Sequence, residues 1–375
     1  MKKNILLMCF AKNGAPPIFL QCMANGFVAN KHNVYCVLSA AVRNNDMFLQ
    51  NISPDVHCLF IDTGDRRTVT WKTFGFLLRE KRRILEFIGN GRIDISIQTF
   101  VHPWMDIINQ WIKPSHAMCI NHDPVNHSGE ERVTVYLNRV LYALVPETIV
   151  MTESFISVIE SLYGKKRESV YYMRHGLYDT YKSAQKLMQG KIYRDDCVNF
   201  VFFGRIEKYK GLKVLVDSFY ALLRDCGNIT LSIYGAGDLY EIVEPPETDK
   251  IHIENRYIED EEIGDIFSGP NLIAVVPYLD ATQSGVIPIA IDYEVPIIAS
   301  DSGGLREQLD GGTFGELVVP GSVEALKGAM EKLIANPGLL EAQKNAMRAY
   351  KKKLAWDVIT RELVEEIDKR ERKRK

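Results

Sequence analysis

The chain has almost no excess of either charge. Its 46 Lys and Arg stand against 48 Asp and Glu, a formal net charge of −2. A protein balanced in this way is no polyanion binder over its whole surface, so no nucleic-acid partner is expected. No C-x2-C pair occurs among the seven cysteines, Cys9, Cys22, Cys36, Cys58, Cys119, Cys197 and Cys226. Their odd number and their apolar surroundings argue for reduced structural thiols in a cytosolic protein, not a disulfide scaffold or a zinc site. No window approaches the roughly 18 apolar residues needed to span a bilayer. The apolar run Ile5–Phe10 after Lys2 and Lys3 is too short for a secretory signal, and no small-residue cleavage site follows it. It reads as a first β-strand. No strand leads into G-x-G-x-x-G with an acid about twenty residues further on, which disfavours a dinucleotide-dependent dehydrogenase. No Asp-x-Asp or ligand set with zinc spacing is found, so no metal cofactor is expected.

What the chain does have is a repeated strand–helix grammar. At 375 residues it is long enough for two domains. Hydrophobic residues make up 46% and charged ones 25%, the profile of a soluble globular protein. Strands are predicted at Asn4–Cys9, Asn33–Leu38, Val56–Ile61, Ile93–Thr99, Ala117–Asn121 and Glu147–Met151. Helices are predicted at Pro17–Ala29, Trp71–Ile88 and Arg132–Leu144, and Val170–Gly176 supplies one more strand and a turn. The second half restarts with strands at Phe200–Phe203, Ile229–Tyr234, Ile251–Ile253, Leu272–Pro277 and Pro296–Ser300. Its helices are Leu212–Cys226, Glu261–Phe267, Val286–Tyr293 and Val323–Ala335. Continuous apolar strands alternating with helices imply α/β architecture with doubly wound parallel sheets. The expected division is residues 1–178, a polar linker 179–196, residues 197–353, and a last helix with a basic tail, 354–375. Two such domains facing one another would enclose a ligand cleft.

The segment Phe200-Val-Phe-Phe-Gly-Arg-Ile-Glu-Lys-Tyr-Lys-Gly-Leu212 carries the most chemistry. A buried strand runs into Gly204, followed by Arg205 and then Lys210. In open α/β sheets, ligands lie at the carboxyl ends of strands. Gly204 would admit a ligand close to the backbone. Arg205 and Lys210 suit a group with several anionic oxygens, a diphosphate above all. The plainer alternative is a strand–helix loop with two solvated cations. Three further pieces keep it company. Gly235 and Gly237 follow a strand. Ala281-Thr282-Gln283-Ser284-Gly285 precedes a helix with Pro288 in its first turn, where free N–H groups would bind an anion unless Ser284 is simply an N-cap. Ser302-Gly-Gly-Leu-Arg-Glu307 is a Gly-rich turn whose Glu307 either caps a helix or meets a ligand hydroxyl.

In this order, together with Gly315-Glu-Leu-Val318, these motifs resemble the donor half of family 4 glycosyltransferases of bacterial surface-polysaccharide type. Asn13-Gly14, the loop Asn121–Glu130, Val150–Phe155, Tyr172–Gly176 and Trp356-Asp357 extend the resemblance over nearly the whole chain. The resemblance implies the GT-B fold, two Rossmann-like domains with a C-terminal helix crossing back to the first. It implies retaining transfer of a hexose-type sugar from a nucleotide diphosphate sugar, without a metal, to a saccharide or lipid-linked saccharide acceptor. Arg205 and Lys210 would then bind the donor diphosphate, with Gly14, Gly204, Gly235, Gly237, Thr282, Gln283, Ser284, Gly285 and Glu307 around the donor. His122 and Asp123 would position the transferred sugar.

One departure stands out. Many family members carry a Glu-x7-Glu pair ahead of the strand at Pro296, and here Ala281 and Ile289 occupy those positions. Neutral Thr282, Gln283 and Ser284 stand in their place. That keeps two rivals in view, a non-catalytic nucleotide-sugar-binding subunit and a sugar-nucleotide epimerase on the same fold. His122 and His127 flank Asp123 and Pro124, and the alternative to a sugar contact is a His–Asp pair that stabilises the loop. His102 and His175 read as structural. Residues 65–92 hold eight Lys and Arg against three acids, around an amphipathic helix with Phe74, Leu77, Leu78, Ile84, Leu85 and Ile88 on one face. This segment either docks on anionic lipid or packs in the core with a solvated basic face. The expected location is cytoplasmic, on the inner face of the cell membrane.

Overall fold

The computed structural model describes residues 2–64, 73, 75–125, 139–183, 186–188, 193–244 and 247–374. They form two compact units. One holds the described residues up to Gly176 together with those from Lys353 onward; the other holds those of Leu177–Lys352.

The first unit is built on seven strands: β1 (Asn4–Cys9), β2 (Asn33–Ser39), β3 (Val56–Ile61), β4 (Ile95–Gln98), β5 (His116–Asn121), β6 (Glu147–Val150) and β7 (Val170–Tyr172). They lie in the order β3-β2-β1-β4-β5-β6-β7. Every pairing is parallel, for example Ile5 with Val34 on one side and with Ile95 on the other. Ile5–Cys9 is fully buried, as expected of a central parallel strand covered on both faces. After β1 the chain turns at Gly14 and enters the Ala15–Ala29 helix, with prolines in its first positions. On one face of the sheet, Leu6, Met8, Val37 and Leu59 pack with Phe76, Ile84, Ile88 and Trp104. Phe76 stacks flat on Trp104, ring centroids 4.4 Å apart.

The last helix, Trp356–Arg374, packs on the Ala15–Ala29 helix. Asn30 fixes the crossing by donating to the Asp357 carbonyl at 2.7 Å and to Thr360 Oγ1 at 2.9 Å. Trp356 needs room: a Cβ on Gly26 would lie 2.5 Å from its carbonyl oxygen, and one on Gly176 2.3 Å from its ring.

The second unit holds β8 (Val198–Phe203), β9 (Ile229–Tyr234), β10 (Ile251–Glu254), β11 (Leu272–Val276), β12 (Ile297–Ser300) and β13 (Gly315–Val318). Their order is β10-β9-β8-β11-β12-β13, again all parallel. The order reverses between β8 and β11, which makes their carboxyl ends the topological switch point where such sheets bind ligands. The described part of segment 179–196 lies on this unit. Lys182 Nζ pairs with Asp292 at 2.6 Å, Lys186 N bonds the Glu261 carbonyl, and Met188 N bonds Asp265.

The α/β class and the parallel sheets are as the sequence predicts. The structure adds strand β13 and the helices Pro103–Ile112, Ile156–Tyr163 and Pro337–Lys351. The predicted Trp71–Ile88 helix is found in its described residues, helical at Thr73 and Gly75, then a wide π turn over Phe76–Glu80 and an α-helix over Lys81–Ile88. Residues 71, 72 and 74, and residues 132–138 of the predicted Arg132–Leu144 helix, lie outside the described residues.

Candidate functional site

The loop after β8 and the loop after β9 are closed against each other by glycines. Gly204 N bonds the Tyr234 carbonyl, and Ile206 N bonds the Ala236 carbonyl at 2.9 Å. Gly235 has φ +151°, and a Cβ there would lie 1.8 Å from the Gly204 oxygen. No other residue type fits this approach. Gly237 bridges to Ile206 in the same way. Gly204 differs: at φ +131° a Cβ would meet nothing within 4 Å. Its open side is where a ligand can reach the backbone.

Arg205, the next residue, is exposed and pairs with Glu207 at 2.8 Å. Such a surface pair is worth about 0–1 kcal/mol and is easily exchanged for a better anion. Lys210 is held more firmly. Its ammonium stands 3.9 Å from the Tyr278 ring centroid and 5.2 Å from that of Tyr209. Burial pulls its pKa down, but the phenol oxygens of Tyr278 and Tyr209 and a hydrogen bond to Tyr278 outweigh that, leaving it above the usual lysine value. Lys210 therefore stays charged. The β8 and β11 loops are clasped here as well: Leu279 N bonds the Tyr209 carbonyl at 2.8 Å.

Tyr278 passes the contact onward. Its hydroxyl shares a hydrogen bond with Ser284 Oγ at 3.1 Å, and Ser284 Oγ accepts the Val286 N–H at 3.2 Å. Gln308 grips the Ser284 backbone from both sides, accepting from Ser284 N at 2.8 Å and donating to its carbonyl at 3.0 Å. Ser284 is thus buried and engaged with Tyr278, Val286 and Gln308, and Lys210 and Arg205 are the cations of this cluster. Thr282 is buried, Gln283 and Glu307 are half-buried and Gly285 is exposed. The Ser302-Gly-Gly turn closes on Thr282 through Gly304 N, which donates to its carbonyl at 3.1 Å. The predicted donor-side residues of the second unit thus follow the carboxyl ends of its strands, on the connecting segments except for Glu307, which lies in the Leu305–Gln308 helix. Sequence reasoning missed Tyr278 and Gln308, which join them.

In the first unit, Gly14 and His122 follow β1 and β5 at the carboxyl edge of that sheet. Phe19, on the helix that Gly14 opens, meets the His122 ring edge-on at 5.6 Å. His122 Nε2 donates to the Thr99 carbonyl at 2.8 Å. Burial lowers its pKa, so the ring is neutral with the lone pair on Nδ1. Asp123 is exposed beside it. His127 lies outside the described residues. His102 caps a helix by accepting from Trp104 N, and His175 Nδ1 donates to the Gly176 carbonyl. Burial takes both to about 4, so both are neutral structural rings. Among the described residues, no three His, Cys, Asp or Glu group into a metal site. No described helix is long and apolar enough to cross a membrane.

Residues 197–336 match the family model described as Glycosyl transferases group 1. The matched segment coincides with most of the second unit. The whole chain has the fold of solved glycosyltransferases. Anabaena Alr3699/HepE in complex with UDP-glucose superposes with TM-score 0.71 at 13% identity, covering 98% of this chain and 100% of that one. Sucrose-phosphate synthase from Thermosynechococcus elongatus gives 0.69 at 15% identity, covering 98% and 99%. WaaG, a glycosyltransferase involved in lipopolysaccharide biosynthesis, gives 0.63 at 11% identity, covering 96% and 98%. No curated protein matches the sequence. The chain accordingly has the GT-B fold, with the match to the group 1 model in its second unit.

Proposed function

We propose that this chain is a glycosyltransferase that moves a hexose-type sugar from a nucleotide diphosphate sugar, with retention, to a saccharide acceptor carried on lipid, during surface-polysaccharide synthesis. The observation that carries the donor reading is the Lys210–Tyr278–Ser284 chain at the switch point between β8 and β11. It holds a charged ammonium beside an exposed guanidinium where a diphosphate belongs. The UDP-glucose bound by HepE and the lipopolysaccharide role of WaaG support the donor class and the polysaccharide context.

In this reading Arg205 and Lys210 neutralise the departing diphosphate in the transition state. The acceptor hydroxyl attacks the face that the diphosphate leaves, and its proton passes to the leaving group. His122, neutral and with its Nε2–H held by Thr99, positions the transferred sugar, and Asp123 stands beside it. No metal takes part. The basic segment 65–92 brings the enzyme to the inner face of the membrane.

The test is turnover with nucleotide sugars and a lipid-linked acceptor in excess EDTA, followed by NMR of the product's anomeric centre. Nucleotide release that needs the acceptor, with retained configuration, is expected. Binding without release would favour the non-catalytic subunit, and conversion of the free donor would favour the epimerase.

A further inference from the structure

Outside the site, two cysteines sit side by side at the edge of the first sheet. Cys36 of β2 and Cys58 of β3 are register partners in a parallel pair. Directly paired residues on neighbouring strands project to the same face, and their Cα atoms stand about 4.8 Å apart, inside the range of about 4.4–6.8 Å that a disulfide spans. β3 is the outermost strand, and Cys58 is half-exposed there while Cys36 is fully buried behind it. The neighbouring Cys36 thiol holds the Cys58 thiol below its ordinary value, against the effect of burial. Burial first, and then Cys58, pushes Cys36 well up. Of the remaining cysteines, Cys9, Cys22, Cys119 and Cys197 are buried and Cys226 is half-exposed.

We propose that Cys58 and Cys36 form a peroxide-responsive dithiol, with Cys58 the attacking and Cys36 the resolving thiol. The Cys58 thiolate attacks one oxygen of hydrogen peroxide. The S–O bond forms, the O–O bond breaks, and hydroxide leaves. The Cys36 sulfur then attacks the resulting Cys58 sulfenic acid, releasing the sulfenic oxygen as water and closing a disulfide between β2 and β3. Two thiols have given two electrons to one peroxide. Such a reversible bond fits a cytosolic chain, where lasting disulfides are rare but redox-sensing ones occur. The half-exposed, more acidic thiol is the one that reacts, as thiolate chemistry requires.

The test exposes the intact protein to stoichiometric hydrogen peroxide, alkylates the remaining thiols, and maps the peptides by mass spectrometry. In the wild type, one linked pair, Cys36–Cys58, lighter by two hydrogens and abolished by dithiothreitol, is expected before Cys226 reacts. Cys58→Ser should lose the linked pair and leave Cys36 fully alkylated. Cys36→Ser should stop at the sulfenic acid, trapped on Cys58 by dimedone. If Cys36 stays alkylated in oxidised wild type, or Cys226 oxidises ahead of Cys58, the proposal is overturned. The wild-type arm decides even if a variant fails to fold.

Discussion

The Lys210 ammonium stands 3.9 Å from the centre of the Tyr278 ring, and the hydroxyl of the same ring reaches Ser284 Oγ at 3.1 Å. One aromatic side chain therefore both seats the cation and ties it to the loop before the next helix. The two roles separate by substitution. Tyr278→Phe keeps the ring and removes the hydroxyl, so nucleoside diphosphate affinity should fall by only about 2- to 10-fold, the range of one neutral hydrogen bond. Tyr278→Leu also removes the cation–π contact, worth roughly 0.5–2 kcal/mol, and should weaken binding further. Calorimetry on the folded variants checks this. Equal affinities for the Phe and Leu variants would show that the ring does not seat Lys210.

Acid should destabilise the first unit through its buried histidines. His175 and His102 titrate at about 4 in the folded protein against an ordinary value of 6.5. The unfolded chain binds their protons first, so stability is present above about 6.5 and lost as pH falls toward 4. A tenfold weakening of proton binding on folding corresponds to about 1.4 kcal/mol, so the well-buried His175 alone accounts for on the order of 3 kcal/mol. His116 acts in the opposite sense. Its hydrogen bond to Glu147 leads the causes that raise its value, so its contribution is present at low pH and lost as pH rises through that value. Thermal melts from pH 8 to 4 should fall most between 6.5 and 4. His102→Asn keeps a capping side chain without a titrating ring and should flatten that fall. An unchanged slope would remove His102 from the account.

The basic face of the Lys81–Ile88 helix offers a clean test of lipid docking. Ile84 and Ile88 are buried, whereas Leu77 and Leu85 are exposed at 44% and 38%. Arg79, Lys81 and Arg82 are exposed, Arg82 in a surface pair with Glu86 at 2.6 Å, while Arg83 is tied to Glu80 and to the Phe60 carbonyl. Changing Arg79, Lys81 and Arg82 to Gln therefore removes charge without breaking packing. At roughly 1 kcal/mol per cation near an anionic surface, vesicle partitioning should fall by up to about 100-fold. Sedimentation with anionic vesicles measures it, and binding equal to wild type would leave the helix as a packed element alone.

His122 should matter more to turnover than to donor binding. Its Nε2–H is held by Thr99, which fixes the tautomer and the orientation of the ring. A contact strengthened in the transition state lowers kcat and kcat/KM together. His122→Ala should show that pattern in steady-state kinetics, by about 10-fold or more if the lost hydrogen bond resembles those to charged groups. A normal kcat with only a raised donor KM would assign His122 to donor binding or to the loop.

How far the sequence could be read follows from burial. Ile5–Cys9 and Ile229–Tyr234 are covered on both faces and so appear as unbroken apolar runs. Strand β13 is short and at the sheet edge, with Glu316 and Leu317 only half-buried, so it carries no such run. The Pro337–Lys351 helix buries only Gln343 and Met347, which leaves no apolar stripe to recognise. In the site, Gly204, Arg205 and Lys210 were legible because glycine and cations at a strand end are unusual together. Tyr278 and Gln308 were not. An aromatic after a strand and an amide beside Glu307 look ordinary until the β8, β11 and β12 loops are brought into contact.

The cation pair itself is the decisive test of the donor site. Arg205 is exposed and pairs with Glu207, and Lys210 is seated on Tyr278. A charge-assisted hydrogen bond is worth about 1.5–3 kcal/mol, or roughly 10- to 150-fold in affinity. Arg205→Ala and Lys210→Ala should each weaken nucleoside diphosphate and nucleotide-sugar binding within that range. The bare nucleoside presents no phosphate, so its binding should stay nearly constant in both. The two effects should differ in kind. Arg205 gives up a weak surface pair on binding, and its removal changes little else. Lys210 is part of the loop clasp, so its removal should also lower the melting temperature slightly. Calorimetry and thermal melts on the same samples separate the two. Diphosphate affinity within about twofold of wild type in both variants, far below the change expected for a charged contact, would place the donor diphosphate elsewhere.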